Sequence, residues 1–208
     1  MRGLALVLAL AAQAAPAQLD AVPEVVGSGE WNFTATLDGK PIGTHRFTVA
    51  GTPAARSVQS RADFTVRMLG IAVYHYRHHA DERWEGDCLR DLRSDTDDDG
   101  KAQKVTQRFG GDCLMGFAYW NPRLVLQTQL VDPQTGRIEP ARFEWLPDAP
   151  IDVRGKPVQA HGWRLIADKQ RITVWYAVDG GRWIALDAEA KGGRRLSYRL
   201  IDDKGLAR

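Results

Sequence analysis

Trp31-Asn32-Phe33-Thr34-Ala35-Thr36-Leu37 sets an apolar or small side chain at every second position against polar ones. A period of two places the two sets on opposite faces of an extended chain, the pattern of a half-buried β-strand. Asp38-Gly39-Lys40-Pro41 then makes a turn, with Pro41 at the mouth of the next strand, where its missing N–H does no harm, and Ile42 to Val49 return. The pattern repeats along the chain. Val58 to Leu69 carries Ala62, Phe64, Val66 and Met68 on one face, and Ile71 to Arg83 sets Tyr74, Tyr76 and His78 opposite Val73, His75, Arg77 and His79. Leu89 to Asp95 and Lys101 to Phe109 read as the arms of a further hairpin.

Leu114 to Gln129 is the ambiguous stretch. Asn121-Pro122 opens either a short helix or a strand there, and Val125 with the residues around Thr128 favours strand. Asp132-Pro133-Gln134-Thr135-Gly136 is a turn, Ile138 to Leu146 a strand, and the residues from there to Pro157 a proline-punctuated loop. Ile172 to Val178, Trp183 to Ala190 and Leu196 to Ile201 close the chain as strands joined at Asp179-Gly180-Gly181 and Lys191-Gly192-Gly193. About ten strands in meander order, little helix and no βαβ spacing specify an all-β fold. A sheet of that size curls to hide its edges, so a strongly curved antiparallel sheet, a barrel or a clam-like half-barrel, is expected.

Residues 1–17, MRGLALVLALAAQAAPA, read as an export signal: one Arg, an apolar run from Leu4 to Ala12, and small residues at A-x-A spacing. Ala12-Gln13-Ala14 and Ala15-Pro16-Ala17 both fit a cleavage site, and the apolar run is shorter than the roughly 20 residues of a membrane span. The expectation is a periplasmic or secreted protein with no transmembrane span once the signal is removed. The remaining residues, 18–208, suffice for a single all-β domain. Removing Arg2, the only charged residue before Asp20, takes the formal charge of +2 to +1. Basic residues are interspersed with acidic ones, which argues against nucleic acid as partner.

Cys88 and Cys113 are the only two cysteines. An even count in an exported chain favours a disulfide. An Asp99-Gly100 turn alone would set residue 88 opposite 111, and Gly110-Gly111 supplies the slack for a bulge that moves the partner to 113.

No catalytic or metal constellation emerges, and no cofactor is implied. Asp95-Thr96-Asp97-Asp98-Asp99-Gly100 opens like a calcium loop, but the closing position carries Thr106 instead of Glu and the flanks read as strands. Within Tyr74-His75-Tyr76-Arg77-His78-His79, His78 and His79 point to opposite faces, and His75 and His79 share a face at about 13 Å, too far to hold one ion together. No G-x-S-x-G turn is present. The seven Trp, five Tyr and six Phe are the most suggestive group. Trp31, Phe33, Phe64, Tyr74, Tyr76, Trp175, Tyr176 and Tyr198, with Tyr119 and Trp120, are candidates to line an apolar cavity inside a curved sheet.

Several motifs also carry a family resemblance. Leu37-Asp38-Gly39-Lys40-Pro41-Ile42-Gly43 with His45 and Phe47, Glu82-x-Trp84 leading through Cys88-Leu89 to Thr96 and Asp99-Gly100-Lys101, and Phe117-Ala118-Tyr119-Trp120-Asn121-Pro122 are three of them. Together with the Asp132 to Gly136 turn and the closing Trp175-Tyr176, Trp183 and Tyr198-Arg199-Leu200, they resemble an uncharacterised family of exported proteobacterial proteins, itself a domain of unknown function. The resemblance implies an exported all-β domain and no catalytic residues. More loosely, the chain resembles lipoprotein-carrier or lipocalin-like half-barrels.

The leading functional expectation is a protein that holds a lipid, acyl chain or other hydrophobic small molecule without transforming it. Two others stand beside it. An envelope scaffold would expose Tyr119-Trp120-Asn121-Pro122 as an aromatic patch. A hydrolase or isomerase would group His75, His79, Glu82 or Asp87 in a pocket.

Overall fold

A computed structural model describes residues 28–168 and 170–204, so the segment read as an export signal lies outside the described residues. The strands are β1 (Gly29–Leu37), β2 (Lys40–Thr52), β3 (Ala55–Met68), β4 (Ile71–Glu85), β5 (Cys88–Asp98), β6 (Lys101–Arg108), β7 (Met115–Gly116), β8 (Gln129–Val131), β9 (Ile138–Val153), β10 (Lys156–Ala167), β11 (Gln170–Ala177), β12 (Trp183–Ala190) and β13 (Arg194–Lys204). They form one 13-stranded sheet in the order β6-β5-β4-β3-β2-β1-β13-β12-β11-β10-β9-β8-β7. All pairings are antiparallel except the short β7–β8 ladder. The sheet is thus two meanders stitched together where the first strand meets the last, with Phe33 opposite Leu200 and Leu37 opposite Leu196.

The period-two reading of β1 holds throughout: Trp31, Phe33, Ala35 and Leu37 are buried, while the residues between them are half-exposed. The tight turns follow their chemistry. Asp38-Gly39 and Asp99-Gly100 both adopt positive φ, as a two-residue hairpin loop that matches the strand twist requires. The β5–β6 ladder pairs Asp91 with Arg108, a register that would bring 88 opposite 111. Gly111, at φ +103°, absorbs the extra residues, and Cys88 and Cys113 are bonded with 4.6 Å between Cα atoms.

Three expectations are corrected. The all-β, antiparallel expectation holds, but the sheet is not strongly curled and does not close into a barrel: its outermost strands β6 and β7 share no ladder. Instead, the chain between β6 and β9 crosses the concave side of an open sheet. Leu89 N–H donates to Leu114 O at 2.8 Å and Ser94 Oγ to Pro133 O at 2.6 Å on one half of the sheet, while on the other Tyr176 Oη donates to Tyr119 O at 3.0 Å. Second, Pro122–Leu126 is a 3₁₀ helix, not a strand, capped by Asn121, whose side-chain oxygen accepts from Arg123 N–H. Pro at its first turn forfeits no hydrogen bond. Third, the proline-punctuated loop is strand: β9 continues through Pro147 and Pro150, with a shift of register against β10 at residues 147–148. β8 pairs only with residues 138–140, so beyond them β9 has β10 on one side alone, and an edge strand tolerates proline.

The crossing segment fills one end of the concave side with Phe117, Trp120, Leu124 and Val125, all buried. Trp120 meets Trp84 edge-on with 5.5 Å between ring centroids, and Tyr119 packs 5.4 Å from Trp183. The scaffold expectation of an exposed Tyr119 to Pro122 patch is therefore not met. Trp120 is 2% exposed, and Asn121 is fully buried, donating from Nδ2 to Asp87 at 2.9 Å.

Candidate functional site

Toward the opposite end, which carries the turns at Asp38-Gly39, Leu69-Gly70, Asp99-Gly100 and Lys191 to Gly193, the concave side is not filled. Two adjoining cavities lie there. The inner one, of 360 Å³, is bounded by His45, Ser60, His78 and Glu82 from β2 to β4, by Tyr119 and Trp120 of the crossing segment, and by Ile172 and Leu186 across from them. The outer one, of 570 Å³, is lined by Leu37, Ile42, Phe64, Val66, Val73 and Tyr74, with Lys101, Lys191 and Arg194 at its rim. Tyr76, Leu196 and Tyr198 line both and form the wall between them.

That wall is an aromatic cluster. Phe64 and Tyr76 stack with centroids 5.6 Å apart, Tyr76 lies 6.3 Å from the His78 ring, and Tyr198 meets His45 edge-on at 5.5 Å. Tyr76 Oη donates to Gln134 Oε1 at 3.3 Å, tying the wall to the turn after β8. Tyr74 Oη donates to Asp98 at 2.7 Å.

The inner cavity is more polar than the sequence led one to expect. His45 Nε2 lies 2.8 Å from Ser60 Oγ and its Nδ1 3.4 Å from Tyr198 Oη. His78 Nδ1 lies 2.8 Å from Thr96 Oγ1. Burial, with His78 as neighbour, holds His45 down at about 3, and burial holds His78 at about 4 against the opposing pull of Asp132. Both rings are neutral at pH 7. Burial pushes Glu82 up to about 7, although its carboxylate accepts a 2.8 Å hydrogen bond from Trp84 Nε1. The interior therefore offers neutral donors and acceptors and one carboxyl group near its titration point.

Of the ten aromatic residues singled out in the sequence, Tyr76, Tyr119, Trp120 and Tyr198 border the inner cavity, and Phe64 and Tyr74 join Tyr76 and Tyr198 at the outer one. Trp31, Phe33 and Tyr176 sit fully buried in the packed core and border neither. Phe33 packs against Trp183 instead, with ring centroids 4.2 Å apart. Trp175 turns to the other face of the sheet, donating to Asp187 at 3.0 Å and covering Gly162. His45, Ser60 and His78 were not recognised as cavity residues from sequence. The signal was there, since each falls in phase with a buried apolar neighbour two residues away: Phe47, Val58 and Ala80.

The four residues considered for hydrolysis do not converge. His75 is exposed on the outer face, 3.2 Å from Thr65 Oγ1, and His79 pairs with Asp81 at 2.9 Å on the same face. Glu82 faces the cavity, and Asp87 lies in the β4–β5 turn, salt-bridged to Arg123 at 3.2 Å. His45 and Ser60 make an imidazole–hydroxyl pair, but the second ring nitrogen faces a tyrosine where a catalytic arrangement would place a carboxylate. Among the described residues, no group of three or more His, Cys, Asp or Glu side chains is placed to hold a metal ion. No helix among them is long and apolar enough to cross a membrane.

No curated protein matches the chain. Among solved structures, the crystal structure of a β-barrel-like protein of the domain of unknown function DUF1849 from Brucella abortus superposes with a TM-score of 0.58 at 12% identity, covering 88% of this chain and 99% of that one. A crystal structure of a putative lipoprotein from Parabacteroides distasonis covers 88% of this chain and 97% of its own at 10% identity, with a TM-score of 0.37, a level that carries no argument. The first likeness shows a common fold and nothing of function. The family model of DUF6134, a domain of unknown function, matches residues 33–201, and the chain belongs to that family.

Proposed function

We propose that this protein binds an amphiphile, such as a fatty acid or a lipid with a compact polar group, on the concave side of its sheet and releases it unchanged. The observation that carries this reading is the pair of adjoining cavities, 360 and 570 Å³, left open beside a segment that could have filled them. Each falls within the roughly 300–1,000 Å³ range of small-molecule sites. Their chemistry is graded: aliphatic and aromatic side chains line the outer cavity, and His45, Ser60, His78 and Glu82 give the inner one hydrogen-bonding partners. His45, Ser60, His78 and Glu82 each have a protein partner, but His78 Nε2 and the second Glu82 oxygen make no hydrogen bond among the described residues, and an amphiphile's polar group would meet them where a pure hydrocarbon would not. The Cys88–Cys113 bond supports an oxidising, extracytoplasmic setting for this activity.

Native mass spectrometry of the purified protein, followed by titration of the delipidated protein with a fluorescent fatty acid, tests the reading. One bound amphiphile per chain, displaced competitively by unlabelled fatty acid and weakened by Leu196→Trp, which fills the space at the shared wall, is the expected result. The absence of both co-purified lipid and saturable fatty-acid binding would overturn it.

A further inference from the structure

The end of the sheet where the outer cavity opens carries an apolar finger. Met68, Leu69, Ile71 and Val73, at the tip of the β3–β4 hairpin, are 64%, 102%, 69% and 47% exposed. They form four of the eight exposed large hydrophobic side chains among the described residues, gathered within six positions of the chain. The turn itself is chemically unusual. Leu69 and Gly70 take φ +51° and +82°, the geometry that Asp38-Gly39 and Asp99-Gly100 adopt in the two neighbouring hairpins at the same end. Asp, Asn and Gly suit the first of these positions, and a leucine there bears a steric cost of its own. A side chain held in an unfavourable backbone conformation and fully exposed contributes nothing to the fold.

Around this tip the charge is mainly basic. Lys40, Arg67, Lys101 and Lys191 carry no ion pair among the described residues, and Arg194 pairs with Asp38 at 2.7 Å. Of the carboxylates at this end, Asp38 and Asp97 are ion-paired with Arg194 and Arg77, while Asp98 and Asp99 accept hydrogen bonds from the Tyr74 hydroxyl and the His75 backbone N–H at 3.3 Å and keep their charge, so the four unpaired cations face two unpaired carboxylates. Val66 and Val73, on the arms of the same hairpin, line the outer cavity, and Val66 also shares a neighbouring groove with Met68, Leu69, Leu37 and Ile42, so the tip adjoins the cavity mouth.

We propose that the β3–β4 hairpin tip docks on an anionic lipid bilayer. Met68, Leu69 and Ile71 enter the interface, and Lys40, Arg67, Lys101 and Lys191 meet the headgroups. Apolar side chains ringed by cations are complementary to a surface that is apolar beneath and negative above, and neither signal alone gives stable anchoring. Docked in this way, the protein turns the mouth of the outer cavity toward the membrane. That last consequence rests on the amphiphile reading, whereas the docking itself does not.

Flotation of the full-length chain with vesicles of phosphatidylcholine alone, and of phosphatidylcholine with an equal part of phosphatidylglycerol, tests the proposal. Wild type is expected to float with the anionic vesicles, less with the neutral ones, and to lose binding as salt is raised. Leu69→Asn, which installs a residue the turn prefers, should keep or raise the unfolding midpoint while weakening vesicle binding roughly tenfold or more, the worth of one leucine's burial. It shares every other segment with wild type, the apolar N-terminal stretch included, so the difference reads the hairpin alone. Equal flotation of wild type and Leu69→Asn would overturn the proposal, as would no flotation of either, or a lipid-free dimer that Leu69→Asn dissolves, which would make the tip a self-association surface. Fatty-acid binding by Leu69→Asn should match wild type. A variant that fails to float yet binds fatty acid leaves the amphiphile reading intact, and loss of fatty-acid binding alone in wild type sinks that reading without touching this one.

Discussion

Trp120 stands edge-on to Trp84 with 5.5 Å between ring centroids, and this contact fastens the crossing segment to the sheet beneath it. The Trp120 ring also lies 5.4 Å from the guanidinium of Arg56, which is 3% exposed and donates from Nη1 to Gly86 O at 2.7 Å. Trp120→Ala should therefore cost about 3–5 kcal/mol, for the volume lost and for the buried cation it uncovers. Urea unfolding followed by far-UV circular dichroism measures the loss. A cost under about 1 kcal/mol would mean the segment is not anchored there.

The interior titrates in two opposing senses. Glu82, raised to about 7, keeps its proton in the folded state between the ordinary glutamate value and 7 while the unfolded chain releases it, so stability falls as pH rises through that window. His45 and His78, held at about 3 and 4, stay neutral in the fold while the unfolded chain takes up protons below about 6.5, so stability falls as pH drops below that value. Urea midpoints should peak at mildly acidic pH. Glu82→Gln should remove the decline above the peak, steepen the rise between the ordinary glutamate value and about 6.5, where Glu82 opposes the two histidines, and leave the more acidic range unchanged; a midpoint profile identical to wild type would show that Glu82 is not desolvated.

Cys88 and Cys113 join the start of β5 to the approach to β7, beside the Leu89–Leu114 hydrogen bond. Replacing both with serine should lower stability by about 3 kcal/mol through the freedom returned to the unfolded chain. The β-sheet circular dichroism signature of the folded state should survive, because the β4–β5 and β5–β6 ladders do not depend on the bond. Loss of that signature at room temperature would show that the bond organises the sheet as well as stapling it.

Gly162 lies opposite Trp175 in the β10–β11 ladder, and a Cβ at 162 would fall 2.6 Å from the indole ring. Gly162→Ala should cost about 1–3 kcal/mol, because the ring must leave its bond to Asp187. In a double-mutant cycle with Trp175→Leu the penalty should shrink, and strict additivity would show that the ring was never the obstacle.

Much of this architecture is local in origin, and that part is legible in the sequence. Alternation from Trp31 to Leu37 and the Asp-Gly pairs at 38–39 and 99–100 dictate strands and turns without reference to distant residues, and the slack at Gly110-Gly111 was enough to place the disulfide. What escaped depends on distant neighbours. Pro147 and Pro150 lie in a strand because β8 is too short to pair alongside them, which nothing near residue 147 reveals. The concave side also escaped. Its aromatic residues divide among core, cavity wall and outer face according to which strand lies opposite, so Trp31 and Tyr76 look alike in sequence and end in different surroundings. His45 and Ser60 were hidden by their polarity, although their phase in β2 and β3 points inward.

The seam between β1 and β13 gives the chain an unusual assembly problem. Every other long ladder joins neighbours in sequence and can zip as soon as its hairpin turn exists, but the central one waits for the C-terminal strand to find the N-terminal one. The two meanders can form early and still lack a common sheet until β13 pairs with β1. Linking residue 204 to residue 29 and opening the chain at another turn would convert this last, slow closure into one more hairpin and should speed refolding without altering the finished sheet.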